Sequence, residues 1–197
     1  MVIADLFQEY ELLVAKADQS FQEMEKNHAD SIKCGIHCSD CCHAIFGLFI
    51  IEAAYLNYHF NKMDRKIRRE VGSQGEKFDQ DLQAKAQSGE LIEKLRVRCP
   101  LLNEKQECQM YKYRPITCRV YGMPTMINGK VHVCFKSGFK NNESYPAFDL
   151  DSMHRELFEL SVKYLEELQH EKAEDAALLL SVSKALQAPV EEILKGI

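Results

Sequence analysis

The chain has 197 residues, 46% of them hydrophobic and 28% charged, enough for one ordinary domain with a real core, and its net charge of −5 excludes a general nucleic-acid binder with a basic face. No apolar run reaches membrane-spanning length, and the start Met1-Val2-Ile3-Ala4-Asp5 lacks the basic opening and apolar stretch of a secretory signal. The expected compartment is the cytosol, with neither membrane nor nucleic acid as a partner. There, eight cysteines read as metal-binding or redox groups rather than as four disulfides.

In chain order, residues 5–27 predict an amphipathic helix, with Leu6, Tyr10, Leu13, Val14, Ala17, Phe21 and Met24 recurring at three- and four-residue steps. A cysteine-rich stretch follows at once. A second helix is expected from about Leu48 to Val71, presenting Ile51, Tyr55, Tyr58 and Ile67, with a break at Gly72 to Gly75. Its basic stretch, Lys62 to Arg69, reads as a solvated helix face. A third, more polar helix covers about 76–96, with an interruption at Ser88-Gly89. Cys99 to Phe148 is rich in Pro, Gly, Tyr and Cys, has few periodic apolar residues, and carries one hairpin signal. There Thr125-Met126-Ile127 and Lys130-Val131-His132-Val133 flank Asn128-Gly129, which suits the positive φ angles of a type I′ turn. From Asp151 the helical period returns in Met153, Leu157, Leu160, Tyr164 and Leu168, continues through Ala176 to Leu186, and restarts at Pro189. The expected fold is mainly α, a single domain over 1–197. A helical scaffold surrounds an irregular cysteine-rich metal-binding centre, about 34–134, with one small β-hairpin.

The cysteines fall into two groups. Cys34, Cys38, Cys41 and Cys42 lie within nine residues, and Cys99, Cys108, Cys118 and Cys134 are spread over the irregular segment. Thiolates are the best protein ligands for zinc, cuprous copper and iron–sulfur clusters. Short loops let several sulfurs converge at roughly 2.3 Å from one metal. Core packing does not explain such density, so all eight are candidate metal ligands. Cys41 and Cys42 are adjacent, and neighbouring side chains diverge in extended backbone. One of them is therefore expected to serve a second metal or to remain a free, reactive thiol. The hairpin register, Ile127 opposite Lys130, sets Cys134 opposite Met123, five residues past Cys118, where the two thiols could share a site. Eight sulfurs divide into two four-coordinate sites, or into one cluster with four cysteines left for structure. Sites drawing on both groups are preferred, because neither alone has a two-pair zinc-finger spacing.

The run Arg98-Cys99-Pro100-Leu101-Leu102, then Cys108-Gln109-Met110-Tyr111, then Arg114-Pro115-Ile116-Thr117-Cys118-Arg119-Val120-Tyr121 resembles the cysteine-cluster family named for its CxxCxxCC motif. The family pairs an early CxxCxxCC with a later CP…CxxY…RPxxCR, and both halves occur here in that order, over about Cys34 to Cys134. The first spacing, Cys34 to Cys38, is one residue longer than the motif, which singles Cys34 out from Cys38, Cys41 and Cys42. The resemblance implies a zinc or iron site, with no single activity attached. A related motif occurs in flagellin lysine methylases, but no glycine-rich cofactor loop supports methyl transfer here.

Among the other residues, His37 and His43 are alternative imidazole ligands where eight thiols already suffice. His132 is expected to face solvent or to back a ligand; His28, His59, His154 and His170 need no function. Arg114 and Arg119 bracket Cys118, either to favour thiolates and donate hydrogen bonds to metal-bound sulfur or to cap helices and pair with carboxylates. Pro115 is expected to open a helix carrying Cys118. Tyr111, Tyr113 and Tyr121 are expected in the core, with shielding of the site as the alternative. Glu52 reads as an ordinary helix residue, with a carboxylate ligand as the alternative. No serine elbow, phosphate loop or dinucleotide fingerprint is present. The leading function is a metal-binding protein using zinc or iron, with an iron–sulfur cluster as one form of the centre, in a structural or redox role. The alternatives are a metal- or thiol-dependent enzyme and a metal-stabilised protein-interaction module with an unknown partner.

Overall fold

The structure, a computed structural model, describes residues 3–35, 38–87, 89, 95–140 and 143–196. The first helix forms as its stripe requires: α1 (Ile3–Asn27) buries Leu6, Tyr10, Ala17 and Met24 and leaves its polar face in water. It packs on α2 (Ile50–Phe60), on α4 (Ile116–Val120) and on α5 (Leu150–Glu167). The central helix α2 is apolar nearly all round, with Ile50, Ile51, Ala53, Ala54, Leu56 and Phe60 all buried. That is the pattern of a helix enclosed by neighbours rather than lying on a surface. Here α1, α5 and α6 (Val182–Gln187) enclose it, and α7 (Val190–Leu194) closes one end.

The helix expected through Val71 stops earlier. It ends at Phe60, and α3 (Arg65–Ala86) restarts after Asp64, whose carboxylate accepts the Lys66 N–H at 2.7 Å as an N-cap. The helix then runs straight through Gly72 and Gly75. A helical glycine costs only about 1 kcal/mol, and Gly75 has a packing reason. A Cβ there would lie 3.0 Å from Ser183 Oγ, whose hydroxyl donates to the Gly75 carbonyl at 3.1 Å, so the bare backbone lets α6 approach. The basic stretch 62–69 thus straddles a helix start. The third expected helix is the second half of α3, which ends ten residues short of 96. The interruption expected at Ser88-Gly89 falls partly outside the described residues, and Gly89 itself has φ +76°.

The hairpin matches its register: β1 (Thr125–Ile127) pairs antiparallel with β2 (Lys130–His132), Ile127 opposite Lys130. Asn128 and Gly129 take φ values of 52° and 69°. Both of their N–H groups donate to the Asp151 carboxylate, at 3.0 and 3.4 Å. A two-residue strand, β3 (Phe148–Asp149), adds to β1 in parallel, giving the order β2-β1-β3. Two residues are too few for alternation to show in a sequence. The expected continuous helix from Ala176 is also interrupted. A 3-10 turn, Ala173–Ala177, leads into an extended step where Leu180 pairs with Leu48 at 2.8 and 2.9 Å. Ser181 then caps α6 by accepting the Lys184 N–H.

The irregular segment belongs to the core more than its texture implies. Leu101, Leu102, Met110, Ile116, Val120, Met123 and Phe139 are all buried. Among them lies Glu52, 3% exposed. Its Oε1 accepts the Ile116 N–H at 3.0 Å and its Oε2 the Phe49 N–H at 3.2 Å. One carboxylate therefore fastens the N-terminal ends of α2 and α4 together, where helix dipoles favour negative charge. No helix among the described residues is long and apolar enough to cross a membrane.

Candidate metal centre

Four short pieces of backbone bring cysteines together. A 3-10 turn, Asp40–His43, carries Cys41 and Cys42. In such a turn successive side chains lie roughly 120° apart rather than on opposite faces. Neighbours expected to diverge can therefore reach one region. Alongside runs an extended step in which Val97 N–H donates to the His43 carbonyl at 3.1 Å and Cys99 N–H to the Cys42 carbonyl at 2.7 Å. Next, Leu102 pairs with Cys108 across a tight reversal in which Gln106 takes a φ of 64°. Last, Pro115 stands before the first turn of α4, where a missing N–H costs nothing, and Cys118 follows within that helix.

A cleft of about 730 Å³ is lined by Cys34, Cys38, Cys41, Cys42, Cys108 and Cys118, with Tyr111 and Arg114 on its wall. All eight cysteines are free thiols. Six of them share this cleft. Cys41 is hydrogen-bonded to Cys118 and to Cys42, and these bonds pull its thiol well below the ordinary cysteine range. Cys108 is lowered in the same way by its bond to Cys42. The partners move oppositely: Cys118 is raised by its bond to Cys41 and then by burial, and Cys42 by its bond to Cys108. The Arg114 charge further favours ionised Cys41 and Cys108. Cys99 is pushed up to about 12, chiefly by burial.

Cys34, Cys38 and Cys134 have different neighbours. Cys34 is pushed up to about 12 by burial and by nearby Cys38 and Cys134. Its sulfur sits against Gly122, where any Cβ would overlap it. Cys134 donates to Asp40 Oδ2 at 3.5 Å. Cys134 is thus placed against the Asp40 carboxylate.

Sequence reasoning passed over Asp40, which is 2% exposed. Its Oδ1 takes Arg96 at 2.6 Å and Lys136 at 3.2 Å, and its Oδ2 takes the Tyr121 hydroxyl at 3.1 Å. Burial alone would raise this carboxyl, but Lys136, Arg96 and Tyr121 hold it below the usual range. An acidic residue inside a cysteine loop was the available signal.

The remaining candidates separate cleanly. Arg119 is buried and spends its guanidinium on the Arg114 and Lys112 carbonyls and on Asp18, so it clamps backbone. Arg114 lies over the Tyr111 ring at 3.9 Å. Tyr111, expected in the core, is exposed because it forms this cleft wall. Tyr113 stacks on His59 with ring centres 3.8 Å apart, and Tyr121 is half-buried on Asp40. His43 meets the Ser39 carbonyl at 2.9 Å through Nδ1. His132 is exposed, and His37 lies outside the described residues. Both Glu52 oxygens are committed to backbone N–H groups.

Among the described residues no three Cys, His, Asp or Glu side chains already stand in the geometry of a formed metal site. The donor chemistry nevertheless fits a soft metal. In a tetrahedral site with 2.3 Å bonds the sulfurs are about 3.8 Å apart.

Clustered cysteines held on a helical scaffold and opening to a cleft define a cysteine-cluster protein. Residues 33–135, more than half of the chain, match the CxxCxxCC family, described as "Putative zinc- or iron-chelating domain", and the chain belongs to that family. No curated protein and no solved structure matches it.

Proposed function

We propose that the chain binds zinc or iron through the thiolates of Cys34, Cys38, Cys41, Cys42, Cys99, Cys108, Cys118 and Cys134, in a reducing compartment such as the cytosol. The supporting observation is that Cys41, Cys42, Cys108 and Cys118, from three separate backbone pieces, line one cleft together with Cys34 and Cys38. Covalent distance along the chain is long and the thiols are free, so a bound metal would tie these pieces together and add to their stability. Its role is structural or redox.

A second reading, a thiol- or metal-dependent enzyme, has one observation in its favour. The cysteines open onto a cleft walled by exposed Tyr111 and by Arg114 rather than being sealed. A catalytic site keeps one coordination position open, whereas a structural site is closed by four protein ligands. Anaerobic, chelator-free purification with metal analysis, acid-labile sulfide and a visible spectrum tests the main reading and separates zinc from an iron–sulfur cluster. Stoichiometric metal is the expected result; trace metal alone contradicts it.

A further inference from the structure

We propose that a second cleft, bounded by the end of α2, the start of α3 and α6, is an anion site that takes a phosphate monoester on Arg65, Arg68 and Arg69. The cleft measures about 650 Å³ and shares no lining residue with the cysteine cleft.

A basic stretch at a helix start is ordinarily a solvated face. This one is placed differently. Positions 65, 68, 69, 72, 75 and 76 fall within one arc of α3. It is the side on which α6 packs, with the Ser183 hydroxyl donating to the Gly75 carbonyl at 3.1 Å. The three arginines continue that side past the packed part and line the cleft.

Their charge is uncompensated. Among the described residues none of the three guanidiniums makes an ion pair or a hydrogen bond, whereas Arg96 is paired with Asp40 and Arg119 with Asp18. The nearby acids are engaged elsewhere. Asp64 Oδ1 accepts the Lys66 N–H at 2.7 Å, and Asp79 Oδ2 accepts from Ser183 Oγ at 3.0 Å and from Gln187 Nε2 at 2.7 Å. Three guanidiniums against the one carboxylate of Glu76 leave the cleft wall at +2 in a chain whose net charge is −5.

Two further features ask for a ligand. Arg68 Nε is buried and has no hydrogen-bond partner among the described residues, and a buried donor of a charged group is costly unless something accepts from it. Gly72 also lines the cleft, and no atom lies within 4 Å of where its Cβ would stand. Gly75 is explained by the approach of α6. Gly72 has no such packing reason, although glycine weakens a helix, and its bare backbone leaves room between the arginines and α6.

The chemistry of the wall selects the ligand. Guanidinium forks match phosphate oxygens, and three at i, i+3 and i+4 suit a doubly charged group better than a single carboxylate. Leu186 and the amides of Asn61 and Gln187 complete the lining and face the organic part of an ester.

The test is titration of the full-length protein, as purified with its metal, with phenyl phosphate and with inorganic phosphate, followed by ¹H–¹⁵N NMR. Saturable shifts are expected around residues 60–76 and 183–187, with phenyl phosphate binding the tighter of the two. Arg68→Ala is expected to weaken binding by at least about tenfold. Gly72→Leu fills the cleft while replacing a poor helix former with a good one. It is expected to lose binding with a thermal midpoint equal to or above that of the wild type, a combination that misfolding cannot produce. Absence of saturable shifts, shifts scattered over other basic surfaces, or binding unchanged in both variants would overturn the site. Shifts at these residues with a short single-stranded RNA but not with phenyl phosphate would overturn the small-ligand assignment.

Discussion

Glu52 makes the stability of this fold depend on pH in a calculable direction. Burial lifts its carboxyl from the ordinary 4.5 to about 7, against the opposing pull of the Ile116 and Phe49 N–H groups, Tyr10 and Arg119. In the unfolded chain the group ionises near its ordinary value, so between about pH 4.5 and 7 the folded state holds a proton that the unfolded state has lost. Its contribution is therefore complete at low pH and is lost as pH rises through 7. A tenfold difference in proton affinity is worth about 1.4 kcal/mol, so the gap corresponds to about 3 kcal/mol, an order-of-magnitude figure. Glu52→Gln keeps the volume but leaves one backbone N–H facing an amide donor, a pH-independent cost of about 1–3 kcal/mol. The stability advantage of wild type over Glu52→Gln, measured by urea unfolding of the metal-loaded protein at pH 5, 6, 7 and 8, should fall by about 2.5 kcal/mol across the series, to near zero or below. Subtracting the variant cancels the thiols, which titrate alike in both. A difference that stays constant with pH would show Glu52 to be ionised throughout, and the reasoning from burial would be wrong.

Gly122→Ala should displace the Cys34 sulfur, cost about 1–3 kcal/mol by overpacking, and be largely relieved by adding Cys34→Ala; thermal unfolding of the three proteins checks this. Arg119→Ala removes bonds to two carbonyls and to Asp18, and should destabilise by about 2–4 kcal/mol in chemical denaturation while Arg114→Ala costs less. Leu48→Ala, at a fully buried position on the bridge to Leu180, should cost about 2–5 kcal/mol in the same assay. Chelation should raise hydrogen exchange in the loops around Cys99 to Cys108 and around Cys134 and leave α1, α2 and α5 protected. Because Ile116 and Val120 are buried, α4 should also keep much of its protection.

The parts legible in the sequence were those fixed by local patterning. The Leu6-to-Met24 stripe specified α1, Asn128-Gly129 specified a turn with the observed register, and Pro189 marked the start of α7. The break between α2 and α3 was misplaced for a tertiary reason. Gly75 reads as a breaker until Ser183 is seen against it, while Asp64, a single N-cap, is a weak signal on its own. The cysteines were legible as a set and not as partners. Which thiol meets which depends on the pairing of Ala44 with Arg96 and of Leu102 with Cys108, and neither bridge has a sequence signature. Asp40 was hidden for the same reason, since its partners Arg96, Tyr121 and Lys136 lie 56 or more residues away.

The central claim, that clustered thiolates of this chain hold a zinc or iron centre, is most directly tested by X-ray absorption at the metal edge of the full-length protein purified anaerobically without chelator. The account predicts a first shell dominated by sulfur at about 2.3 Å. A first shell of nitrogen and oxygen at about 2.0–2.1 Å would contradict it.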